Sequence, residues 1–329
     1  MRVLIADRLP ESHCGQLRAD GHDITDAPEL GADDLSAALG DHEVLVVRST
    51  RVTAEALTAS TIALRLVIRA GSGTDTIDTE AAADRGIAVC NVPGRNAIAV
   101  AELAVGLVLA IDRRIPEQVA DLREGRWRKG EYQTAAGICG RSVGVVGLGD
   151  IGLEFAARMR AFGTDVHGVA DPNRAADRQA RAEEIGISFV ADLPTLAGMC
   201  DILSFHVPLS DRTRGIIGEP LVSQVPDGAI LINTSRGDLV DPDTLLPALD
   251  ARRLRVGLDV HPDEPAGASA AIETQLSRHP RVYGTHHVGA STEQAQTAVA
   301  DGVVDILRAF AQGEVRNCVN GAQPVGAPR

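Results

Sequence analysis

The chain has 329 residues, more than one compact core usually holds, so two domains are expected. Hydrophobic residues at 44% and charged residues at 23% exclude bulk disorder. The 32 basic and 45 acidic residues leave a net charge of −13, which excludes nucleic acid or an anionic membrane as a partner through the general field, and 2% aromatics leave no base-stacking surface.

An anionic small substrate must then be held by local arginines. MRVLIAD at the N-terminus reads as a strand start rather than a signal peptide. The five cysteines (Cys14, Cys90, Cys139, Cys200, Cys318) include no C-x-x-C pair, which fits reduced thiols in a cytoplasmic protein. No His/Cys/Asp cluster has metal-ligand spacing, so no metal is expected.

In chain order, RVLIA (2–6), EVLVVRS (43–49), LRLVIRAG (64–71) and IAVCNVP (87–93) read as buried strands of a parallel sheet, with helical pieces at 54–60 and 79–85 between them. AIAVAELAVGLVLAI (97–111) is too short to span a bilayer and carries Glu102. Its apolar residues on nearly every side predict a helix buried between domains or subunits. REGRWRKGEYQ (123–133) reads as a linker or surface loop. The pattern then restarts with SVGVVG (142–147), DVHGVAD (165–171), DILSFHV (201–207), AILINTS (229–235), LRVGLDV (254–260) and RVYGT (281–285). A last helix, about 292–311, carries Ala295, Val299, Val303 and Ile306 at helical spacing. The whole reads as an α/β protein of two doubly wound parallel-sheet domains.

Gly147-Leu148-Gly149-Asp150-Ile151-Gly152 is a G-x-G-x-x-G motif that follows a strand directly and opens a helix with Ile151, Phe155, Met159 and Phe162 on one face. Gly147 suits the tight turn, Gly149 lets backbone approach a pyrophosphate, and Gly152 permits close helix–strand packing. The helix start offers N–H groups and the positive dipole end to the anion. Asp171 lies 19 residues beyond Gly152. A carboxylate there accepts from ribose hydroxyls and repels a 2′-phosphate, which predicts NAD over NADP. Alternatively the glycines make an ordinary turn and Asp171 caps the turn before Pro172.

Three further residues sit just past strand ends, where open α/β sheets bind ligands: Arg236, Glu264 and His287. Histidine can give a proton near neutral pH, a neighbouring carboxylate fixes its tautomer, and an arginine fork suits a planar carboxylate.

RAGSGTDTID (69–78), NAIAVAELAVGLVLA (96–110), GRSVGVVGLGDIG (140–152), HVPL (206–209), INTSRGDLVD (232–241), GLDVHPDEP (257–265) and THHVGASTEQAQ (285–296) together resemble the D-isomer-specific 2-hydroxyacid dehydrogenases, most closely the phosphoglycerate dehydrogenase branch. The resemblance implies a Rossmann-type cofactor domain, 97–286, inserted in a flavodoxin-like substrate domain, 1–96 plus 287–329. It implies an NAD-dependent oxidoreductase acting on a small 2-hydroxy or 2-keto acid in a cleft between the domains, and a homodimer through helix 97–111. Arg236 matches the arginine that orients the substrate, Glu264 the acid paired with the histidine, and His287 the acid/base. Gly71, Ser72 and Gly73 match the loop that takes the substrate carboxylate, and Arg48 and Arg69 match arginines near a distal phosphate. Cofactor contacts are implied at Asp150, Ile151, His206, Val207, Pro208, Thr234, Ser235, Asp259 and Gly289, with Asp259 near the nicotinamide amide; His206 also reads as structural.

The sequence departs from the family pattern at Asp150, where an arginine is common, at His261 for an aromatic, and at His286 for a proline. The two adjacent histidines compete for the catalytic role. Extended backbone points successive side chains opposite ways, and the residue before V-G-A-S is His287. The chain ends soon after EVRNCVN (314–320), so serine feedback through an extra domain is not expected. The alternatives are a glyoxylate/hydroxypyruvate or D-lactate type reductase and, in a different class, an NAD-sensing protein like the C-terminal-binding corepressors.

Overall fold

The computed structural model describes residues 1–59, 64–262, 264–265 and 270–322. Ser60, at the end of the expected helix from Ala54, and Asp263 of GLDVHPDEP lie outside them. The chain divides into two units, Met1–Asn96 with Ser291–Arg329, and Ala97–Ala290. The return to the first unit therefore begins at Ser291 rather than at residue 287, and His287 belongs to the second unit.

Unit one is built on β1 (Arg2–Ile5), β2 (Asp23–Asp26), β3 (Val44–Val47), β4 (Leu66–Arg69) and β5 (Ala88–Asn91), all parallel, in the order β2-β1-β3-β4-β5. That is the doubly wound, flavodoxin-like order. Alternation along each strand sorts its side chains between two layers. Val3, Ile5, Val44, Val46, Leu66 and Ile68 meet Leu17, Val303, Leu307 and Phe310 of helices Glu11–Ala19 and Glu293–Ala311. On the other face Leu4, Leu45, Val47 and Val67 meet Leu35, Leu39 and Leu57 of helices Ala32–Leu39 and Ala54–Ala59. The expected apolar stripe of the last helix is buried at all four positions, and Thr292 caps its start by accepting from Ala295 N–H at 3.1 Å.

Unit two carries β6 (Ser142–Val146), β7 (Asp165–Val169), β8 (Ser188–Val190), β9 (Ile202–Phe205), β10 (Ile230–Asn233), β11 (Arg255–Leu258) and β12 (Val282–Gly284). They pair in parallel in the order β12-β11-β10-β9-β6-β7-β8, so the winding reverses between β6 and β9, the place where a Rossmann sheet takes its ligand. Helix Asp150–Ala161 buries Phe155 and Met159, whereas Phe162 ends the helix 43% exposed and is not part of the buried face.

Two strands had no sequence signal. β2 and β8 are sheet-edge strands of four and three residues, and DITD and SFV leave most positions accessible. An edge strand covered on few sides lacks the β-branched run that marks its neighbours. Helix Ala97–Arg113 departs from expectation in the opposite direction. It packs against helix Asp150–Ala161, β10 and β11, which bury Ala101, Ala104, Leu107, Val108 and Ile111 within a single chain. Its apolar character is therefore mostly absorbed inside the unit. The exposed apolar residues lie further on: Ile115, Val119 and Leu122 on helix Ile115–Arg123, and Trp127 beyond it. No helix among the described residues is long and apolar enough to cross a membrane.

Candidate active site

The glycine loop between β6 and helix Asp150–Ala161 is shaped by two close approaches. Gly147 has φ +96°, and a Cβ on it would lie 2.7 Å from the His206 carbonyl oxygen. A Cβ on Gly152 would collide with the Gly147 carbonyl, so only glycine lets the helix begin this close to the strand. Gly149 is the residue before the helix, and nothing lies within 4 Å of where its Cβ would be. The first N–H groups of the helix open here. Asp150 occupies the first turn, and Arg178 donates to its Oδ1 at 3.2 Å, so its charge is compensated. Ile151, next to it, is half-buried. Asp171 is exposed and takes the Asn173 N–H on Oδ1 at 2.9 Å. The turn-capping reading of Asp171 therefore holds in the structure, and Oδ2 has no partner among the described residues.

On the neighbouring strand ends, Val207 packs toward Gly147, and the Pro208 carbonyl accepts from Thr213 Oγ1 at 2.6 Å. His206 Nε2 bonds Ser204 Oγ at 2.8 Å, and its ring lies 5.2 Å from that of Phe155. Burial pushes the imidazole down to about 3, so it is a neutral residue at any physiological pH. Its Nδ1 is buried with no hydrogen-bond partner among the described residues, as is Thr234 Oγ1. Buried polar atoms rarely stay unpaired; the His206 backbone adjoins Gly147 of the loop, and Thr234 follows β10, two strands from β6 in the same sheet. Glycine cradle, helix start and orphaned polar atoms together fit NAD.

The catalytic candidates follow three adjacent strands, β10, β11 and β12. Neighbouring strands lie about 4.8 Å apart, which brings Arg236, Glu264 and His287 to one stretch of the sheet's carboxyl edge. The contact that unites two of them is direct: His287 Nδ1 lies 2.7 Å from Glu264 Oε1. A carboxylate oxygen only accepts, so Nδ1–H donates to Glu264 and Nε2 is the ring nitrogen outside this contact. Among the described residues His286 makes no side-chain hydrogen bond, so of the two histidines His287 is the one that meets Glu264. The alternation expected of extended backbone does not apply, because His287 has φ +53°. Few non-glycine residues adopt that conformation, and here the surroundings enforce it.

What enforces it is Asp259. The residue is 1% exposed, and its Oδ1 accepts from Thr285 Oγ1 (2.6 Å) and Val288 N–H (2.9 Å) while Oδ2 accepts from Gly289 N–H (2.8 Å). The His287 N–H donates to the Asp259 carbonyl at 2.7 Å. Both carboxylate oxygens of Asp259, a residue expected beside the nicotinamide amide, thus accept from the 285–289 loop. His261, in place of the usual aromatic, bonds the Thr285 carbonyl through Nε2 at 3.0 Å and supports the same loop.

Arg236 is set by Asn233, which sequence reasoning did not single out. Asn233 is fully buried; its Nδ2 donates to the Arg236 carbonyl at 2.8 Å and its Oδ1 takes the Ser235 N–H at 3.0 Å. Ser235 Oγ in turn donates to the Phe205 carbonyl at 2.8 Å. A buried asparagine ending an apolar strand was the available signal.

In unit one, Gly71 has φ +147°, and the Arg69 guanidinium lies where a Gly71 Cβ would stand. Asn91 Nδ2 holds the Ser72 carbonyl at 2.6 Å, and Val92 N–H holds that of Gly71 at 2.9 Å, so the 71–73 loop is fixed by β5 and the residue after it. Arg48 Nη2 donates to Ser291 Oγ at 3.3 Å, a neutral partner rather than the carboxylate that an edge arginine would find in so acidic a chain. Glu11, Cys14 and Asp26, also in this unit, bring ligand atoms within 4.8 Å of one another, a grouping that chain spacing did not reveal.

Residues 105–289 match the sequence model described as D-isomer specific 2-hydroxyacid dehydrogenase, NAD binding domain. Among curated relatives, D-3-phosphoglycerate dehydrogenase of Methanocaldococcus jannaschii is 36% identical over 323 residues, 97% of this chain and 59% of the relative. That of Archaeoglobus fulgidus is 35% identical over the same length and with the same coverage. The chain thus spans about three fifths of these relatives. Of solved structures, a glyoxylate reductase from Paecilomyes thermophila is 26% identical with a TM-score of 0.84, covering 97% of this chain and 98% of that one.

Proposed function

This chain belongs to the D-isomer specific 2-hydroxyacid dehydrogenases, and from that premise we propose that it interconverts a small 2-hydroxy acid and its 2-keto acid with NAD as the hydride carrier. The observation that carries the reading is the 2.7 Å contact between His287 Nδ1 and Glu264 Oε1, an acid/base pair held ready beside a dinucleotide fold. NAD supplies or takes the hydride when bound. His287 Nε2 gives a proton to the keto oxygen in reduction and takes it back in oxidation. Glu264 stabilises the imidazolium in between. Arg236 aligns the substrate carboxylate and polarises the carbonyl. The backbone of Gly71, Ser72 and Gly73 takes the carboxylate. The glycine loop of residues 147–152 holds the pyrophosphate.

Asp171 is proposed to set cofactor choice through its ribose contact. Asp171→Ala should narrow the preference for NADH over NADPH by at least tenfold in kcat/KM, because the repulsion of a 2′-phosphate is lost. A wild-type preference for NADPH contradicts this role.

The substrate is proposed to carry a second anion, as 3-phosphoglycerate does, bound by Arg48 and Arg69. Similarity to the phosphoglycerate dehydrogenases and the neutral partner of the Arg48 guanidinium support this. In a panel of 2-keto acids assayed by NADH oxidation, those with a distal phosphate or phosphonate should have the lowest KM. Arg48→Ala should raise that KM by roughly tenfold to a hundredfold, equal to about 1.5–3 kcal/mol for a charged hydrogen bond, and leave uncharged-tail substrates unaffected. Equal losses for both kinds favour a glyoxylate or lactate type reductase.

A homodimer is proposed through the apolar stripe of Ile115, Val119 and Leu122 together with Trp127, which is 79% exposed. Light scattering at micromolar concentration should give twice the chain mass; a monomer contradicts the proposal.

A further inference from the structure

The segment after helix Glu293–Ala311 runs back along β5, the edge strand of the unit-one sheet. Cys318 and Cys90 form an isolated antiparallel bridge there. The hydrogen bonds run on either side of the pair: Val319 N–H to the Val89 carbonyl at 2.8 Å, and Asn91 N–H to the Asn317 carbonyl at 3.2 Å. The two cysteines thus occupy a non-hydrogen-bonded pair, the register in which opposed Cα atoms come closest, about 4.5 Å. That spacing lies inside the range a disulfide spans, roughly 4.4–6.8 Å.

Asn320 locks the register. Its Oδ1 takes the Val89 N–H at 3.1 Å and its Nδ2 donates to the Ile87 carbonyl at 2.9 Å, so the tail cannot slip by a residue. The Cys318 thiol donates to Asn320 Oδ1 at 3.2 Å, so the residue that locks the register also holds this sulfur beside β5. All five cysteines are reduced in the structure. Cys14 and Cys200 are buried, and Cys139 is exposed in unit two.

We propose that Cys90 and Cys318 are an oxidant-accepting dithiol that closes to an intramolecular disulfide and staples the tail to the sheet edge. The oxidant is a low-molecular-weight disulfide such as oxidised glutathione. Cys90 is fully buried and Cys318 only partly, so Cys318 meets the oxidant first. Burial pushes the Cys90 thiol up to about 12, which keeps it protonated until its partner is activated. The Cys318 thiolate attacks one sulfur of the oxidant, the sulfur–sulfur bond breaks, and the first small thiol leaves with a proton. Cys90 then attacks the Cys318 sulfur of the mixed disulfide, the bond from Cys318 to the small thiol breaks, and the Cys90 proton passes through solvent to the sulfur that leaves as the second small thiol. Two protein thiols lose two electrons, and one small disulfide becomes two thiols. The bond joins residues 228 apart in sequence, so it removes much of the freedom of the unfolded chain.

The test incubates the full chain with oxidised glutathione, then denatures and alkylates it, and maps the digest without reduction. A Cys90–Cys318 linked peptide is expected, with two fewer alkylated thiols, a rise in melting temperature of roughly 5 °C or more, and reversal by dithiothreitol. Cys318→Ser should abolish both the link and the rise, while Cys139→Ser keeps both. Cys90 and Cys318 recovered separately, a link to Cys139 instead, or a link with no rise in melting temperature would each overturn the proposal.

Discussion

His287→Ala is expected to lower kcat by ~10²–10⁴-fold while the Kd for NAD stays nearly unchanged, because the role proposed for the side chain is to move a proton and not to hold the cofactor. His286→Ala should be mild, since the Glu264 contact belongs to His287 alone. Steady-state kinetics combined with cofactor titration by fluorescence separates the two effects. Damage from His286→Ala with a mild His287→Ala would transfer the role to the neighbour and contradict the geometry.

The second large effect is expected at Asp259. Its carboxylate takes three donors at 2.6–2.9 Å, two of them backbone N–H groups of the loop that carries His287. Asp259→Ala leaves those donors buried and unpaired, a loss of about 3 kcal/mol or more. It also releases a φ of +53° that nothing local favours. Urea unfolding should show the lost stability, and kcat of the folded fraction should fall at least tenfold. If Asp259 served the nicotinamide amide instead, the variant would keep its stability and the Kd for NAD would rise.

How legible this was depends on what each residue packs against. Buried parallel strands announce themselves, because both faces demand apolar side chains: VLVV and ILIN could be read directly. DITD and SFV could not, since these two edge strands leave most side chains accessible and are held by backbone bonds that any sequence can make. The glycine loop was legible because its spacing answers to one steric problem, the approach of Gly152 to the Gly147 carbonyl. Glu264 and His287 were readable as strand-end residues through the family resemblance. Their union across 23 residues, against the claim of His286, needed coordinates. Pairings between remote positions, such as Asp259 with Thr285 and Cys90 with Cys318, have no periodicity, so nothing in the chain order signals them; Asn233 reaches only as far as Arg236, and its signal was a polar residue ending an apolar strand. The apolar helix at Ala97 misled because composition reports that a surface is covered and not by what; its cover is helix Asp150–Ala161 and the sheet.

The claim on which the rest depends is hydride transfer to the carbon bearing the keto oxygen. Incubating the enzyme with a 2-keto acid and NADH deuterated at nicotinamide C4, then analysing the product by mass spectrometry and chiral chromatography, tests it directly. The account predicts deuterium at C2 of a D-2-hydroxy acid from the label on one face of the nicotinamide, with one NADH consumed per acid formed. A product without label from either face, an L-hydroxy acid, or no NADH consumption with any 2-keto acid would contradict it.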